Sequence, residues 1–311
     1  MKVLFVSRRK KNGDISPIVK NQVNSLRKAG VEPDIYMVEK GGIKGYRSFM
    51  KTFRKYLKNN PGYDIIHAHY SFTAFAVSLV QRKNLVVSLM GSDVKAKGFY
   101  RLIIKVFNCL LWKGCIVKSE DMKRSSGIRN AVVIPNGVDF ERFRPLDMTE
   151  ARSRLNFDPG KRHILFAADP ARAEKNYKLA EEAIRKVGLE HLEIHHLVDI
   201  PNEEVPWYYN ASDVVLLTSL WEGSPNVIKE ATACNRPVVT TNVGDVDSYL
   251  PGIEGSAVTT YDPNDVAEKI REALVNDKPV DGRSAISFLD EKHIAEKILK
   301  EYKRIAKPSK S

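Results

Sequence analysis

The chain has 311 residues, of which 43% are hydrophobic and 28% charged, the composition of a soluble globular protein with about two domains. No apolar run approaches the roughly 20 residues that a membrane-spanning helix needs, so the sequence excludes an integral membrane protein. The first residues predict a strand rather than a signal peptide. Three scattered cysteines fit a reduced, cytoplasmic protein: Cys109, Cys115 and Cys234.

The net charge of +12 is distributed unevenly along the chain. Residues 1–144 contain 28 Lys and Arg against 10 Asp and Glu, a net +18, whereas residues 145–311 contain 22 against 28, a net −6. The positive excess indicates that the first half meets an anionic ligand or surface. A lysine-rich surface that faces only water is the alternative.

Apolar runs that predict strands alternate with segments of helical period, which is the pattern of parallel sheets covered by helices. In the first half, strands are predicted at residues 3–7, 35–38, 64–67, 85–89, 115–117 and 132–134, and helices at 17–29, 46–58, 73–81, 100–112 and 120–126. No Gly-x-Gly-x-x-Gly or Walker loop occurs, which disfavours a dinucleotide dehydrogenase or a P-loop enzyme.

The predicted helix at residues 46–58 is both basic and amphipathic. Its aromatic and aliphatic side chains share one face, and five Lys and Arg occupy the rest. Such a helix packs on a sheet with its charges in water, or it lies on an anionic membrane. Amphipathicity alone leaves both interpretations open.

Polar residues and glycines follow three of the first-half strands. Gly13 lies in the loop after the first strand. His67 and His69 end the third strand, and we expect them on alternate faces, which excludes a shared metal. Gly91 and Asp93 follow the fourth strand, where Asp93 binds a hydroxyl or caps the loop.

In the second half, strands are predicted at residues 164–168, 193–197 and 213–218, and helices at 177–187, 205–210, 227–234 and from 290 to about 305. The third of these strands leads through a tight turn into a helix. Gly223 allows the turn, Ser224 suits a helix N-cap and Pro225 suits the first helical position. The free N–H groups of a helix start suit an anion such as a diphosphate. Glu222 and Glu230 reach the same cleft and suit sugar hydroxyls.

The string Trp221-Glu222-Gly223-Ser224-Pro225-Asn226-Val227, with Lys229-Glu230-Ala231, Pro237-Val238-Val239-Thr240-Thr241 and Val243-Gly244 after it, resembles the retaining glycosyltransferases of family 4 (glycosyl transferases group 1). An ordinary turn with a solvated glutamate pair is the alternative. The resemblance covers nearly the whole chain. It implies an α/β protein with the GT-B fold, in which two Rossmann-like domains face a central cleft.

The same resemblance implies the domain organisation. Residues 1–144 are expected to form the acceptor-binding domain, and residues 145–289 the domain that binds the nucleotide sugar. The final helix, at about 290–306, is expected to cross back to the first domain.

The resemblance also assigns roles to individual residues. Glu222 is expected to hold the donor sugar, and Arg172 and Lys175 the departing diphosphate. The family spacing would place the arginine at Pro170, so Arg172 is a displaced substitute. Glu230 is expected to accept from the ribose hydroxyls. The full donor-binding set is Gly13, Gly223, Ser224, Pro225, Asn226, Val227 and Glu230.

The acceptor or sugar side is assigned by resemblance to His69, Gly91, Asp93 and Asn136. A packed, hydrogen-bonded histidine is the alternative for His69. Met90 stands where relatives often carry a histidine, and it cannot make the usual sugar contact.

The function implied is that of a retaining, metal-independent, hexosyltransferase-type glycosyltransferase. It would move a sugar from a nucleoside-diphosphate sugar, with uridine as the default base, to a glycan or lipid-linked acceptor in cell-envelope or exopolysaccharide synthesis. No cofactor and no nucleic-acid partner is expected, and Asp245-x-Asp247 is not interpreted as a metal motif. A cytoplasmic location is expected. The basic first domain also suggests peripheral contact with the inner face of the cell membrane.

Two alternatives belong to other classes. The first is a non-catalytic nucleotide- or glycan-binding subunit of a membrane-associated assembly, which Met90 and the displaced arginine support. The second is a nucleotide-sugar epimerase of the same fold, for which no acid and base pair is found in the sequence.

Overall fold

A computed structural model describes residues 1–9, 13–91, 93, 98–276 and 278–306. The chain forms two compact units, one of Met1–Gly137 with the C-terminal segment from Glu291, and one of Val138–Asp290. Each unit is built on one parallel sheet. The chain therefore passes from one unit to the other twice.

The first unit contains a six-stranded sheet in the order β2-β1-β3-β4-β5-β6, with every pairing parallel. Its strands are β1 (Val3–Arg8), β2 (Pro33–Val38), β3 (Ile65–His69), β4 (Leu85–Ser88), β5 (Gly114–Val117) and β6 (Val132–Val133). Every residue of β3, β4 and β5 is buried, so helices and loops cover both faces of the sheet.

The helices that follow these strands are α1 (Pro17–Lys28), α2 (Gly42–Asn59), α3 (Ser71–Ser78), α4 (Phe99–Leu110) and α5 (Glu120–Ser126). The apolar face of α2 packs inside the unit, where the rings of Phe49 and Phe53 lie 5.9 and 5.2 Å from that of Tyr36 on β2. The arginines and lysines of α2 are exposed. The structure thus agrees with the packed-helix interpretation of this segment.

The second unit contains a five-stranded parallel sheet in the order β11-β10-β9-β7-β8. Its strands are β7 (Arg162–Phe166), β8 (Leu192–His196), β9 (Val214–Leu217), β10 (Val238–Thr241) and β11 (Ala257–Thr259). Its helices are α6 (Met148–Leu155), α7 (Tyr177–Val187), α8 (Val205–Ala211), α9 (Asn226–Ala233), α10 (Pro263–Val275) and α11 (Gly282–Ala285). The sequence analysis predicted none of β11, α6, α10 and α11.

The last helix, α12 (Glu291–Ala306), belongs to the first unit, as the resemblance implied. Ile294, Ile298 and Tyr302 on one face are buried. The hydroxyl of Tyr302 lies 2.5 Å from Nδ1 of His67 on β3. The ammonium of Lys28, at the end of α1, forms an ion pair of 2.7 Å with Glu291. These contacts fasten α12 to the first sheet and to α1.

The first unit ends at Gly137 rather than at residue 144, because the next residues pack on the second unit. The guanidinium of Arg283 donates hydrogen bonds to the carbonyls of Phe140, at 2.8 Å, and Phe143, at 2.7 Å. Contacts between residues far apart in the sequence set this boundary, and a sequence pattern cannot show them.

Among the helices that the structure describes, none combines the length and the apolar character needed to cross a membrane.

Because α12 fastens to the first sheet through its apolar face, we expect Ile298→Ala to lower the free energy of unfolding by about 2–5 kcal/mol, the cost of an unfilled core cavity. Lys300→Ala, on the exposed side of the same helix, should change it by less than about 0.5 kcal/mol. Urea titration followed by circular dichroism measures both values. An equal effect of the two substitutions would contradict the packing described here.

Candidate active site

In each unit the residues of interest lie at the carboxyl ends of neighbouring parallel strands. In the first unit, loops follow β1, β3 and β4, which are adjacent. In the second, loops follow β7, β9 and β10, which are also adjacent. The chain order reverses between β1 and β3 and between β7 and β9, and ligands of open α/β sheets bind at such points.

The turn after β9 caps α9 differently from the prediction. The helix begins at Asn226, and Pro225 is its N-cap, with φ −71° and ψ 109°. The Ser224 hydroxyl does not cap the helix and instead donates to Oδ2 of Asp245 at 2.9 Å. The prediction of Ser224 as N-cap and Pro225 as first helical residue was therefore wrong, because a tertiary contact takes the serine hydroxyl.

Beneath this turn lies a buried ion pair between Lys229 and Asp245. The Lys229 ammonium has no exposed surface and lies 2.8 Å from Oδ2 of Asp245. It also donates to the Ser224 hydroxyl. Burial lowers the pKa of Lys229, and Asp245 opposes that change. The first aspartate of Asp-x-Asp therefore anchors the turn, a role that the sequence analysis missed.

The loop after β10 also packs directly on the turn. Gly244 has a φ of +68°, and a Cβ there would lie 2.9 Å from Cδ of Pro225 and 3.2 Å from the carbonyl of Gly223. A side chain at this position would therefore push the two loops apart. Gly223, Ser224 and Pro225 are buried, and Asn226 and Val227 are half-buried at the helix start.

Lys175 and Glu222 meet where the loops after β7 and β9 converge. The Lys175 ammonium lies 2.5 Å from Oε1 of Glu222, which also accepts from the Ser219 hydroxyl at 3.0 Å. The Thr218 hydroxyl interacts with the carbonyl oxygens of Lys175 and Asn176, at 3.1 and 2.9 Å. Two residues predicted from separate parts of the sequence thus form one charged pair beside the start of α9.

Arg172 is not part of this pair. Its side chain is 54% exposed and forms an ion pair of 2.5 Å with Glu174, two residues along the same loop. The pKa of Glu174 is lowered by a hydrogen bond from its own backbone N–H and by Arg172. The assignment of Arg172 to the diphosphate stays a prediction, since the structure gives it a different partner.

Glu230, the fifth residue of α9, has a separate set of contacts. Its Oε2 accepts from the hydroxyl of Tyr209 at 2.9 Å. Burial raises the pKa of Glu230, while Tyr209 and the charge of Arg142 act in the opposite direction. The carboxylate is half-buried and held in place.

In the first unit, the structure places Gly13, His69, Gly91 and Asp93 at the carboxyl ends of adjacent strands. Gly13 and Gly91 have φ values of +88° and +109°, which favour glycine. Asn136 is buried near the end of this unit, beyond β6. The acceptor-side roles of these residues stay predictions.

His69 is a fully buried, hydrogen-bonded histidine. Its Nε2 donates to the side-chain carbonyl of Gln22 at 3.0 Å. Burial, with a contribution from the charge of Lys118, lowers its pKa to about 3. The rings of His67 and His69 stack with centroids 4.3 Å apart, so the expectation that they alternate faces was wrong. Residues two apart in a strand share a face.

Asp93 ties the loop after β4 to the start of α3. Its Oδ1 accepts from the backbone N–H of Ser71 at 3.0 Å and from the Ser71 hydroxyl. Its Oδ2 accepts from the N–H of Met90 at 2.8 Å. The carboxylate therefore holds the loop in place, which favours the capping interpretation over contact with a sugar hydroxyl.

The sequence analysis also missed two residues at this edge. Tyr70, directly after β3, has a φ of 69°, a strained conformation for a residue other than glycine. Lys118, directly after β5, is a buried lysine whose charge acts on His67 and His69. The sequence signal that could have identified Lys118 is a lysine directly after an apolar strand.

Part of the second half of the chain matches a known family model. The family model described as Glycosyl transferases group 1 matches residues 156–276. A provisionally named teichuronic acid biosynthesis glycosyltransferase, TuaC, from Bacillus subtilis (strain 168) is 28% identical over 273 residues, covering 73% of this chain and 69% of the relative. These matches support a GT4-like group 1 glycosyltransferase.

Solved structures agree on the fold of this chain. A glycosyltransferase from Rickettsia africae superimposes with a TM-score of 0.81 at 16% identity, covering 99% of both chains. Anabaena HepE, determined with UDP and glucose, gives a TM-score of 0.72 at 15% identity, covering 98% of this chain and 100% of its own. The prediction of a GT-B fold is confirmed.

The burial of His69 predicts a pH dependence of stability. Its pKa is about 3 in the folded protein and near 6.5 in the unfolded chain, so the unfolded state takes up the proton first as the pH falls. The free energy of unfolding should fall between pH 6.5 and about 3, by up to about 1.4 kcal/mol per pH unit for this group.

Urea titrations of the wild type and His69→Gln at pH 7, 6 and 5 test this expectation. The glutamine variant has no titrating group at residue 69, so its stability should depend less steeply on pH. Equal slopes for the two proteins would show that residue 69 does not titrate on unfolding.

Proposed function

We propose that this glycosyltransferase moves a sugar from a nucleoside-diphosphate sugar to an acceptor hydroxyl, with retention at the anomeric carbon. The observation that carries the proposal is the Lys175–Glu222 pair, 2.5 Å apart, beside the start of α9. This arrangement pairs a cation with a carboxylate that precedes the first residue of α9 by four positions, and the N–H groups of a helix start suit an anion.

The diphosphate of the donor would lie against the first N–H groups of α9, those of Val227 and Ile228. The positive end of the helix and the Lys175 ammonium would stabilise the charge that develops as the diphosphate departs. Arg172 would join them by leaving Glu174, which its exposure allows. Three sources of positive charge at one point support a reaction that needs no metal ion.

Glu222 and the backbone that follows it would hold the donor sugar, and Glu230 would accept from the ribose hydroxyls. Tyr209 donates to Glu230 and so fixes its orientation before the donor binds. Retention would follow from attack on the face that the diphosphate leaves, with the leaving phosphate taking the proton of the acceptor hydroxyl.

The comparisons support narrower proposals for donor and acceptor. HepE was determined with UDP, UDP-glucose, and UDP with glucose, which favours uridine as the base. The name of TuaC refers to teichuronic acid biosynthesis, which favours a cell-envelope or exopolysaccharide acceptor, as a glycan or a lipid-linked glycan.

A lipid-linked acceptor suits peripheral attachment of a cytoplasmic enzyme to an anionic bilayer, and α4 supports this. Phe99, Leu102, Val106 and Leu110 are 77%, 55%, 45% and 72% exposed, and their spacing places them on one face. Phe72 of α3, also exposed, lies 5.3 Å from Tyr100 on α4, measured between ring centroids. The apolar row therefore continues onto the neighbouring helix.

Positive charge lies beside this apolar row. The ring of Tyr46 on α2 is 6.4 Å from that of Phe72, so the exposed basic face of α2 is close to the exposed residues of α3. Apolar side chains flanked by lysines and arginines fit the interface of an anionic bilayer. The sequence analysis considered α2 as the candidate for this role, but the row of exposed apolar residues is on α4.

To test the donor site, we expect Glu230→Ala to raise the Kd for the preferred nucleotide about tenfold or more, because it removes charge-assisted hydrogen bonds to ribose. Glu230→Gln keeps an acceptor for Tyr209 and should have a smaller effect. Glu268→Ala, on the exposed face of α10, is the matched control. Isothermal titration with UDP, GDP and ADP measures the Kd values.

Unchanged nucleotide affinity in folded Glu230→Ala would count against the assignment of this residue. Turnover of a nucleotide sugar by the wild type, including slow hydrolysis, would exclude the non-catalytic subunit. The anomeric configuration of a transferred sugar, determined by NMR, tests retention directly.

To test the membrane surface, we expect the wild type to sediment with vesicles that contain phosphatidylglycerol and not with pure phosphatidylcholine. Leu102→Ser with Leu110→Ser should weaken binding about tenfold, because it removes exposed apolar area without touching the core. Binding should also weaken with salt. Undiminished binding of the double variant would exclude α4 as the contact.

A further inference from the structure

Three side chains at the edge of the second sheet share one face. In the parallel pair of β7 and β8, His163 is opposite Glu193, and His195 follows Glu193 by two residues. Since side chains alternate along strands, all three project from the same side of the sheet. Their possible ligand atoms all lie within 4.8 Å of one another.

The hydrogen bonds of His163 orient this cluster. Its Nε2 lies 2.8 Å from the carbonyl oxygen of Asp158, which can only accept, so Nε2 carries the proton. The lone pair on Nδ1 therefore points at Nε2 of His195, 2.9 Å away. A histidine whose other ring nitrogen donates to a backbone carbonyl is the usual arrangement of a metal-binding imidazole.

The second imidazole is also held in place. The ring of Phe157 stacks on that of His195 with centroids 3.6 Å apart and planes 8° from parallel. Both histidines are thus oriented, and His163 is fully buried.

We propose that Nδ1 of His163, Nε2 of His195 and the carboxylate of Glu193 bind one divalent transition-metal ion, with water as the fourth ligand. Two histidines and one carboxylate are a common zinc-binding set, with ligands about 2.0–2.2 Å from the metal. Tetrahedral geometry needs ligand atoms about 3.3 Å apart, so the two ring nitrogens separate slightly and Glu193 moves inward.

Two features of the surroundings permit this adjustment. All five residues of β8 are half-buried at the edge of the sheet, where side chains can shift. The Lys161 ammonium lies 3.3 Å from the Glu193 carboxylate and balances its charge when no metal is bound. Entry of the metal would displace this lysine toward solvent, since its side chain is 39% exposed.

The position of the triad indicates a structural role. His163 is near the beginning of β7, whereas Lys175 and Glu222 follow the carboxyl ends of β7 and β9. A metal here would fasten the edge strand β8 to β7 and would not touch the proposed donor site. The inference is therefore independent of the proposed sugar transfer.

The experiment uses untagged, full-length protein that has been treated with a chelator and then dialysed. Zn²⁺ titration by calorimetry should give one site per chain, and Co²⁺ should give the visible absorption of a tetrahedral complex. Zn²⁺ at about one hundred times its Kd should raise the unfolding temperature by roughly 5 °C or more. Mg²⁺ should produce none of these effects, because it prefers oxygen ligands.

Glu193→Gln and His195→Gln should each weaken Zn²⁺ binding at least tenfold and abolish the tetrahedral Co²⁺ spectrum. Glu193 is half-exposed, so its variant is expected to fold even if His195→Gln does not. His191→Asn removes an exposed imidazole two residues from Glu193 and keeps a residue that tolerates the φ of 61°. Cys109→Ser removes the exposed thiol. Both controls should bind Zn²⁺ normally.

Absence of Zn²⁺ binding by the wild type would overturn the proposal. So would binding that Glu193→Gln leaves unchanged, since the metal would then have other ligands. If the wild type binds Zn²⁺ but its Co²⁺ complex has the spectrum of a six-coordinate ion, the proposed tetrahedral geometry is wrong.

Discussion

The buried ion pair of Lys229 and Asp245 is the interaction on which the geometry of the turn before α9 depends. It joins the first turns of α9 to the loop after β10, and the Ser224 hydroxyl lies between the two charges. Removing one partner of such a pair typically costs about 3–5 kcal/mol, because the other charge stays buried alone. With α9 fixed in this way, the turn that joins the helix to Glu222, the partner of Lys175, is held in place.

Both sheets concentrate their polar residues at the carboxyl ends of the strands, but they use them differently. In the second unit, the carboxylates Glu222 and Glu230 are half-buried and oriented by neighbours. In the first, His69 and Asp93 are buried and satisfied by Gln22, Ser71 and Met90.

The sequence predicted the order of strands and helices where apolar runs were clear, and it located the turn at Glu222, because that turn has distinctive neighbours. It could not predict partners set by tertiary structure. Ser224 was assigned to a helix cap, but a charge from a distant loop takes its hydroxyl. Arg172 was assigned to the diphosphate, but Glu174 pairs with it. Periodicity likewise showed an apolar face on α4 without showing that most of it stays exposed.

The central claim is that a nucleotide diphosphate binds at the start of α9, and hydrogen-exchange mass spectrometry tests it most directly. The intact protein would be compared alone and with saturating UDP, GDP or ADP. The account predicts slower exchange of backbone amides at residues 219–230 and 172–177 with at least one nucleotide. No protection with any of the three, or protection confined to the first unit, would contradict it.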